Sequence, residues 1–316
     1  MRRAPALGQI RGMKLGIFLP LIGARDASAL PEFLATAART AEECGFHSLW
    51  FPEHVVLFDE FKSKYPYSPD GSMPMPSGYG MLEPFTAIAF AAAVTKKIRL
   101  GTGICIVPQR SAIYTAKQVA DCDVLTGGRV EFGVGIGWLR EEFQALGVEF
   151  EGRAQRTREY IAAMRSLWSD DVSEHQGHFL HIPPLRMFPK PLQQPHPPIV
   201  FGGHSDRALR RVADLGDGWF AFDVLPDDIR PRIEELNAVL SRRGRRPDSI
   251  EISASPYMKP GRDAETLRGY ADAGVDQVIQ VVFAASPDDV KREIEALAAD
   301  LMPAARQIEP RRRPHH

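Results

Sequence analysis

Short apolar runs and helically spaced apolar stretches alternate along almost the whole chain. The runs lie at 14–19, 46–51, 98–103, 130–134, 199–201, 218–220, 250–254 and 278–283. Each reads as a buried strand. Between them, 31–44, 84–95, 112–125, 153–168, 205–215, 226–243, 264–273 and 287–301 carry helical spacing. In the first of these, Phe33, Leu34, Ala37 and Ala41 share one face, and Gly45 supplies a C-terminal stop. Gly127 and Gly128 end the third in the same way. Two stretches break the rhythm: a polar, Pro/Gly-rich insertion at 55–81 and an irregular segment at 170–198. About eight strand–helix units predict an α/β fold, a (β/α)8 TIM barrel with insertions at its C-terminal face. An open doubly wound sheet also alternates but rarely needs so many units.

Composition narrows the picture. The 316 residues are 44% hydrophobic, enough for a large core. The length allows two domains, yet barrels of roughly 250 residues fold as one. The expected organisation is a single domain over 13–303 between disordered tails at 1–12 and 304–316. A net charge of −1, with no long basic run inside the folded part, argues against nucleic acid as a partner. Cys44, Cys105 and Cys122 show no C-x-x-C spacing, which fits reduced thiols and a cytoplasmic location. No apolar run reaches the ~20 residues that span a bilayer, and the first twelve residues lack a secretory apolar region.

In a barrel the site lies at the C-terminal ends of the strands. There the chain places V-E-F-G-V-G-I-G-W-L-R-E-E-F-Q-A-L at 130–146, a strand ending in Gly135 and Gly137 with Trp138 just beyond. Glycines there let backbone approach something flat, and the tryptophan offers a rigid wall; a plain strand-to-helix turn is the alternative. The third glycine of a dinucleotide fingerprint is missing. Phe51-Pro52-Glu53-His54 sets a histidine beside a carboxylate, suited to proton transfer or to hydrogen bonding within a loop. Gly202-Gly203-His204-Ser205 opens a helix, a pattern for phosphate binding in which Ser205 can serve equally as N-cap. Arg207, Arg210 and Arg211 follow in that helix, enriching the positive field or facing solvent. Gly101 to Cys105 suggests a bulge at the barrel mouth, with Cys105 a packed thiol. His178 and His181 have ligand-like spacing without supporting ligands, so no metal is expected, and no G-x-S-x-G elbow occurs.

With these residues in view, the chain resembles the luciferase-like monooxygenase superfamily, and within it the group of probable coenzyme F420-dependent oxidoreductases. The motifs that carry the likeness are S-L-W-F-P-E-H (48–54), Y-P-Y-S-P-D-G (65–71), I-R-L-G-T-G-I (98–104) and the long L-T-G-G-R-V-E-F-G-V-G-I-G-W-L-R-E-E-F-Q-A-L-G (125–147). P-K-P-L-Q-Q-P-H-P-P-I (189–199), G-G-H-S (202–205) and L-G-D-G-W (215–219) complete them. The resemblance implies a deazaflavin or flavin at the barrel mouth, against a bulge at Gly103–Ile104 that contains a non-prolyl cis peptide in relatives. It implies cofactor contacts from Phe18, His54, Thr102, Gly103, Ile104, Gly135, Gly137 and Trp138, with Gly202, Gly203, His204 and Ser205 on the phosphate. His54 and Glu53 are the implied catalytic pair. Trp138 stands where sugar-phosphate dehydrogenase relatives carry a glutamate proton donor, which speaks against that reaction.

The implied chemistry is hydride transfer from reduced F420 to a small apolar substrate bearing C=C, C=N or C=O, with His54 supplying a proton. The insertion, with Phe58, Phe61, Tyr65, Tyr67 and Tyr79, would exclude water and shape the pocket. The same fold supports a two-component monooxygenase using reduced FMN, oxygen and a separate reductase, and also a non-catalytic flavin-binding or storage protein. A homodimer is implied by relatives. A barrel hydrolase or aldolase would need a metal cluster or a strand-end lysine, and neither is present in the pattern.

Overall fold

The computed structural model describes residues 12–20, 27–73 and 80–309. Its elements are β1 (Lys14–Phe18), α1 (Leu30–Glu43), β2 (Ser48–Phe51), α2 (Pro84–Val94), β3 (Arg99–Thr102), β4 (Cys105–Ile106), α3 (Ala112–Thr126) and β5 (Val130–Gly135). There follow α4 (Arg140–Ala145), α5 (Arg153–Ser169), β6 (Ser173–Gln176), β7 (His181–Leu185), β8 (Ile199–Gly202) and α6 (Asp206–Leu215). The last are β9 (Gly218–Phe222), α7 (Pro226–Arg242), β10 (Glu251–Ser255), α8 (Ala264–Ala273), β11 (Gln277–Val281) and α9 (Pro287–Ala305).

The parallel strands run β3-β2-β1-β11-β10-β9-β8-β5-β4, and pairing of β3 with β5 closes the ring. β3 and β4 are one strand position interrupted by a bulge, so the barrel has eight staves, as the alternation of apolar runs predicts. Most of the core lies between this barrel and its surrounding helices. A second cluster fills the barrel's interior near its mouth, formed by Phe18, Trp50, Val200, Phe220, Ile279 and Val281.

Two expectations need correction. The stretch at 170–198 is not irregular throughout, because β6 and β7 pair there as an antiparallel hairpin. The last helix does not stop near Leu301: α9 continues through Pro303, and Ala304 and Ala305 are buried. The Ala305 carbonyl accepts the Met13 N–H at 2.9 Å, tying the helix end to the first strand. Residues 304–305 are therefore part of the packed fold; of the tails expected at 1–12 and 304–316, residues 1–11 and 310–316 lie outside the described residues.

The strand starts, opposite the mouth, gather charge. Lys14 pairs with Glu251 at 2.8 Å and Arg99 with the buried Glu131. His47, just before β2, sits 3.9 Å from Glu131. Burial, then the positive charges of Lys14 and Arg99, push the His47 imidazole down to about 3. An unfolded histidine takes its proton near 6.5, so below that pH the unfolded chain binds a proton that the folded chain refuses until about 3. Stability is thus retained above pH 6.5 and lost as pH falls. Urea titrations between about pH 6 and pH 4 are expected to show native stability falling faster than that of H47Q, by up to about 1.4 kcal/mol per pH unit. Parallel pH profiles for the two proteins would contradict this.

Candidate functional site

The C-terminal strand ends enclose a cavity of about 300 Å³. Its floor is the inner cluster of Phe18 and Phe220 with Ile104 packed on it, and its edges come from Gly103, Gly135, Ile136, Gly137, Gly202 and Gly203. Tyr65, Pro66, Tyr67 and Met73 of the insertion form the roof. Phe61 packs edge-on against Trp138 with 5.6 Å between ring centroids, Tyr65 does so at 5.3 Å, and His54 at 5.8 Å. Trp138 is thus the hub on which the insertion rests. Phe58 is not on the cavity wall, and Tyr79 lies outside the described residues.

The Gly103–Ile104 peptide is cis. The bulge turns the Ile104 side chain toward β5 and β8. A Cβ at Gly135 would lie 2.1 Å from Ile104 Cδ1, and one at Gly202 would lie 2.8 Å from it. Those two glycines therefore make room for Ile104, and both also line the cavity. Gly203 differs: its φ of +89° is in the region open to glycine, and a Cβ would meet only Ala208.

Glu53 is placed differently from expectation. It is fully enclosed, with one oxygen accepting the Ile106 N–H and the other paired to Arg110 Nη1. Arg110 also reaches Glu83 at 2.9 Å and Gln118 at 2.8 Å. Burial pushes the Glu53 carboxyl up, while Arg110 and the Ile106 N–H oppose that rise. Both oxygens are engaged in fastening the segment after the bulge to the end of β2, and the residue also lines the cavity. Thr102 is likewise turned away: its hydroxyl donates to the Gly133 carbonyl at 2.7 Å, and it does not line the cavity.

His54 does line the cavity. Its Nδ1 lies 2.8 Å from Oε2 of Glu142, whose other oxygen accepts the Val55 N–H at 2.6 Å. Glu142 is completely buried. An acceptor at Nδ1 fixes that nitrogen as the protonated one in the neutral ring and leaves Nε2 for a ligand. Sequence reading did not single out Glu142; it is one of three carboxylates inside the 125–147 motif, and its partner is 88 residues away. The adjacent Glu141 accepts N–H groups from Lys62 at 2.7 Å and Ser63 at 3.2 Å, and the Ser63 hydroxyl at 2.7 Å. Against a small burial penalty these donors hold its carboxyl down at about 2. The Glu141-Glu142 pair on α4 therefore pins the insertion at two points.

At the other end, Gly202, Gly203 and Ser205 line the cavity where α6 begins. The Ser205 hydroxyl accepts the Ala208 N–H at 3.3 Å, so it caps the helix while remaining on the wall. His204 is not on the wall; its carbonyl accepts from Arg232, and burial followed by Arg232 lowers its ring's proton affinity. Arg211 lies one turn further along α6 and does line the cavity. Its Nε is buried and unpartnered, and the residue forms no ion pair among the described residues. Burial, then Arg153, Arg158 and Arg207, lower its affinity for the proton. Arg207 and Arg210, by contrast, are exposed. A partly buried cation beside free helix N–H groups is suited to a phosphate or carboxylate.

Cys105 is buried, and burial raises its thiol well above the ordinary range, as expected of a packed cysteine. His181 is bonded to Gln176 at 2.6 Å and His178 packs edge-on against Phe179; no metal-binding cluster occurs among the described residues. No helix among them is long and apolar enough to cross a membrane.

The mouth of a closed parallel barrel thus brings together a bulged third stave, a glycine-edged apolar chamber and the start of α6. Residues 13–314 match the family described as luciferase-like monooxygenase, and the chain belongs to that family. Uncharacterized protein Rv0953c of Mycobacterium tuberculosis is 32% identical over 270 residues, covering 84% of this chain and 93% of that protein. The FMNH(2)-dependent dimethylsulfone monooxygenase of Pseudomonas putida is 30% identical over 195 residues, 60% of this chain and 52% of that one. An F420-dependent secondary alcohol dehydrogenase, solved in complex with an F420-acetone adduct, shares the fold with a TM-score of 0.73 at 18% identity, covering 93% and 99% of the two chains. Family neighbours thus include proteins named for F420 and for reduced FMN.

If Gly135 exists for Ile104, G135A should cost about 1–3 kcal/mol in urea unfolding through overpacking. Introduced into an I104A background, the same change should cost at least about 1 kcal/mol less, because the pair is coupled. Strictly additive costs would show that the glycine serves something else.

Proposed function

We propose that this protein is an oxidoreductase that uses reduced coenzyme F420 to reduce a small, apolar organic substrate at a C=C, C=N or C=O group. The observation that carries this reading is one cavity joining three features: an apolar bed over the Gly103–Ile104 bulge, Arg211 of α6, whose Nε has no partner among the described residues, and His54 backed by buried Glu142. The deazaflavin, when bound, supplies the hydride.

In this reading the N–H groups at the start of α6, with Arg211 and Ser205, hold the phosphate. Phe18, Ile104 and the backbone of Gly103, Gly135, Gly137 and Gly202 present a flat apolar bed, with Trp138 as wall. Nε2 of His54 holds the proton exchanged with the substrate, while Glu142 fixes the ring that carries it. The aromatic roof keeps water from the reacting groups. Glu53, with both oxygens engaged, holds the bed in shape.

A second reading keeps the site and substitutes reduced FMN and oxygen, with a separate reductase as partner. The similarity to the dimethylsulfone monooxygenase supports it. Fluorescence titration of the purified protein with F420 and with FMN separates the two. The expected result is at least roughly tenfold tighter binding of F420, since its longer anionic tail gains more from the arginines around α6. Tight FMN binding with oxygen-dependent turnover, and none with the deazaflavin, would favour the second reading.

Two substitutions probe the assigned roles. R211Q should weaken cofactor binding by about 1.5–3 kcal/mol, roughly ten- to hundredfold, as expected for a lost charge-assisted contact. H54Q should leave cofactor affinity within a few fold, while turnover falls by about 10²–10⁴. Unchanged turnover in H54Q would remove the proton-carrying role.

A further inference from the structure

Among the described residues, few polar side chains reach the cavity wall, and most are already occupied. Glu53 is spent on Arg110 and Ile106, Ser205 caps α6, and Arg211 stands at the anion end. Beyond His54, the wall includes Tyr65, Tyr67 and Tyr257 in otherwise apolar surroundings that include Phe18, Phe222 and Phe283.

Tyr257 stands out among these. It follows β10 at a strand end and has a φ of 54°, a left-handed conformation that side chains with a Cβ rarely adopt. Three contacts hold it there. Its N–H donates to Ser255 Oγ at 3.1 Å, the Lys259 N–H donates to the Pro256 carbonyl at 2.9 Å, and Lys259 Nζ donates to the Asp223 carbonyl at 2.6 Å. Its ring packs 4.5 Å from that of Phe222. The Tyr65 hydroxyl, from the insertion, donates to the Tyr257 hydroxyl at 3.3 Å. With that oxygen accepting from Tyr65, the proton of Tyr257 has no acceptor among the described residues. Burial raises the proton affinity of both phenols, with Asp223 adding to the effect on Tyr257, so both remain donors at neutral pH.

We propose that Tyr257, polarised by Tyr65, is a substrate-binding donor that selects a compact aromatic or alicyclic molecule bearing an uncharged carbonyl oxygen. A charged substrate end is disfavoured because, among the described residues, no free counter-charge lines this side of the wall; an oxygen-free hydrocarbon leaves the phenol unsatisfied in an apolar pocket. The inference deepens the reading of the site as one for carbonyl-type reduction and rests on it for the reaction. The binding preference stands without it.

Acetophenone and α-methylstyrene test the idea, because they differ in C=O against C=CH2 at nearly the same shape. The full-length protein, with and without bound cofactor, is titrated with each, and the acetophenone carbonyl is followed as a ¹³C resonance. The native chain should favour acetophenone and move its carbonyl resonance downfield. Y257F should lower acetophenone affinity roughly five- to tenfold, abolish the shift, and leave α-methylstyrene within about twofold. Y65F, which keeps the Tyr257 hydroxyl, should give a smaller loss of the same preference and serves if Y257F folds poorly. Equal losses for both probes would mean that the two rings only latch the roof and would overturn the proposal. No change for either, or no binding of either to the native chain, would overturn it too. Absence of deazaflavin binding alongside an intact carbonyl preference would sink the cofactor reading alone.

Discussion

The seating of one side chain, Ile104, organises the mouth of this barrel. The third stave breaks after Thr102, and the chain re-enters the sheet at Cys105 with Ile104 lodged between β5 and β8, where Gly135 and Gly202 lack side chains. Ile106, two residues on, is tied through its N–H to Glu53, which is tied to Arg110, which is tied in turn to Glu83 and Gln118. A bulge that would otherwise loosen the barrel rim is thereby fastened to β2, α2 and α3. The apolar bed of the cavity is the exposed side of that fastening.

The roof depends on the same rim. Trp138 leaves β5 just past Gly137 and receives Phe61, Tyr65 and His54 on its faces and edges. The next turn, α4, carries Glu141 and Glu142, which grip the insertion backbone at residues 62–63 and 55. His54 is therefore not simply a strand-end histidine. Its ring is oriented by a buried carboxylate that also holds the adjoining chain.

Much of the fold was legible because strands buried on both faces read as continuous apolar runs, and eight of them with helical spacers leave few architectures open. The hairpin of β6 and β7 escaped because Glu174, His175, Gln176, His181, Pro183 and Pro184 show no apolar alternation. Proline at position 303 reads as a stop, yet Ala304 and Ala305 gain enough burial for α9 to pass it. The strand-end positions of the site were legible from topology, and so was the pairing of the glycine-rich loop with a helix start. Their partners were not. Glu142, Arg110 and Tyr257 act on residues roughly 50 to 190 positions away, and no local pattern encodes such contacts. The glycines were legible as special, but the neighbour that requires them is a side chain of this protein.

The two ends of the barrel answer to different pressures. Lys14, Arg99, Glu131 and Glu251 close the far end with interlocking charges around an uncharged His47, whereas the roof is a single excursion between β2 and α2. Grafting another excursion of similar span onto Glu141 and Glu142 would give the rim a new ceiling without disturbing that ionic base. The molecule thus separates a fixed ionic base from a roof carried by one connection.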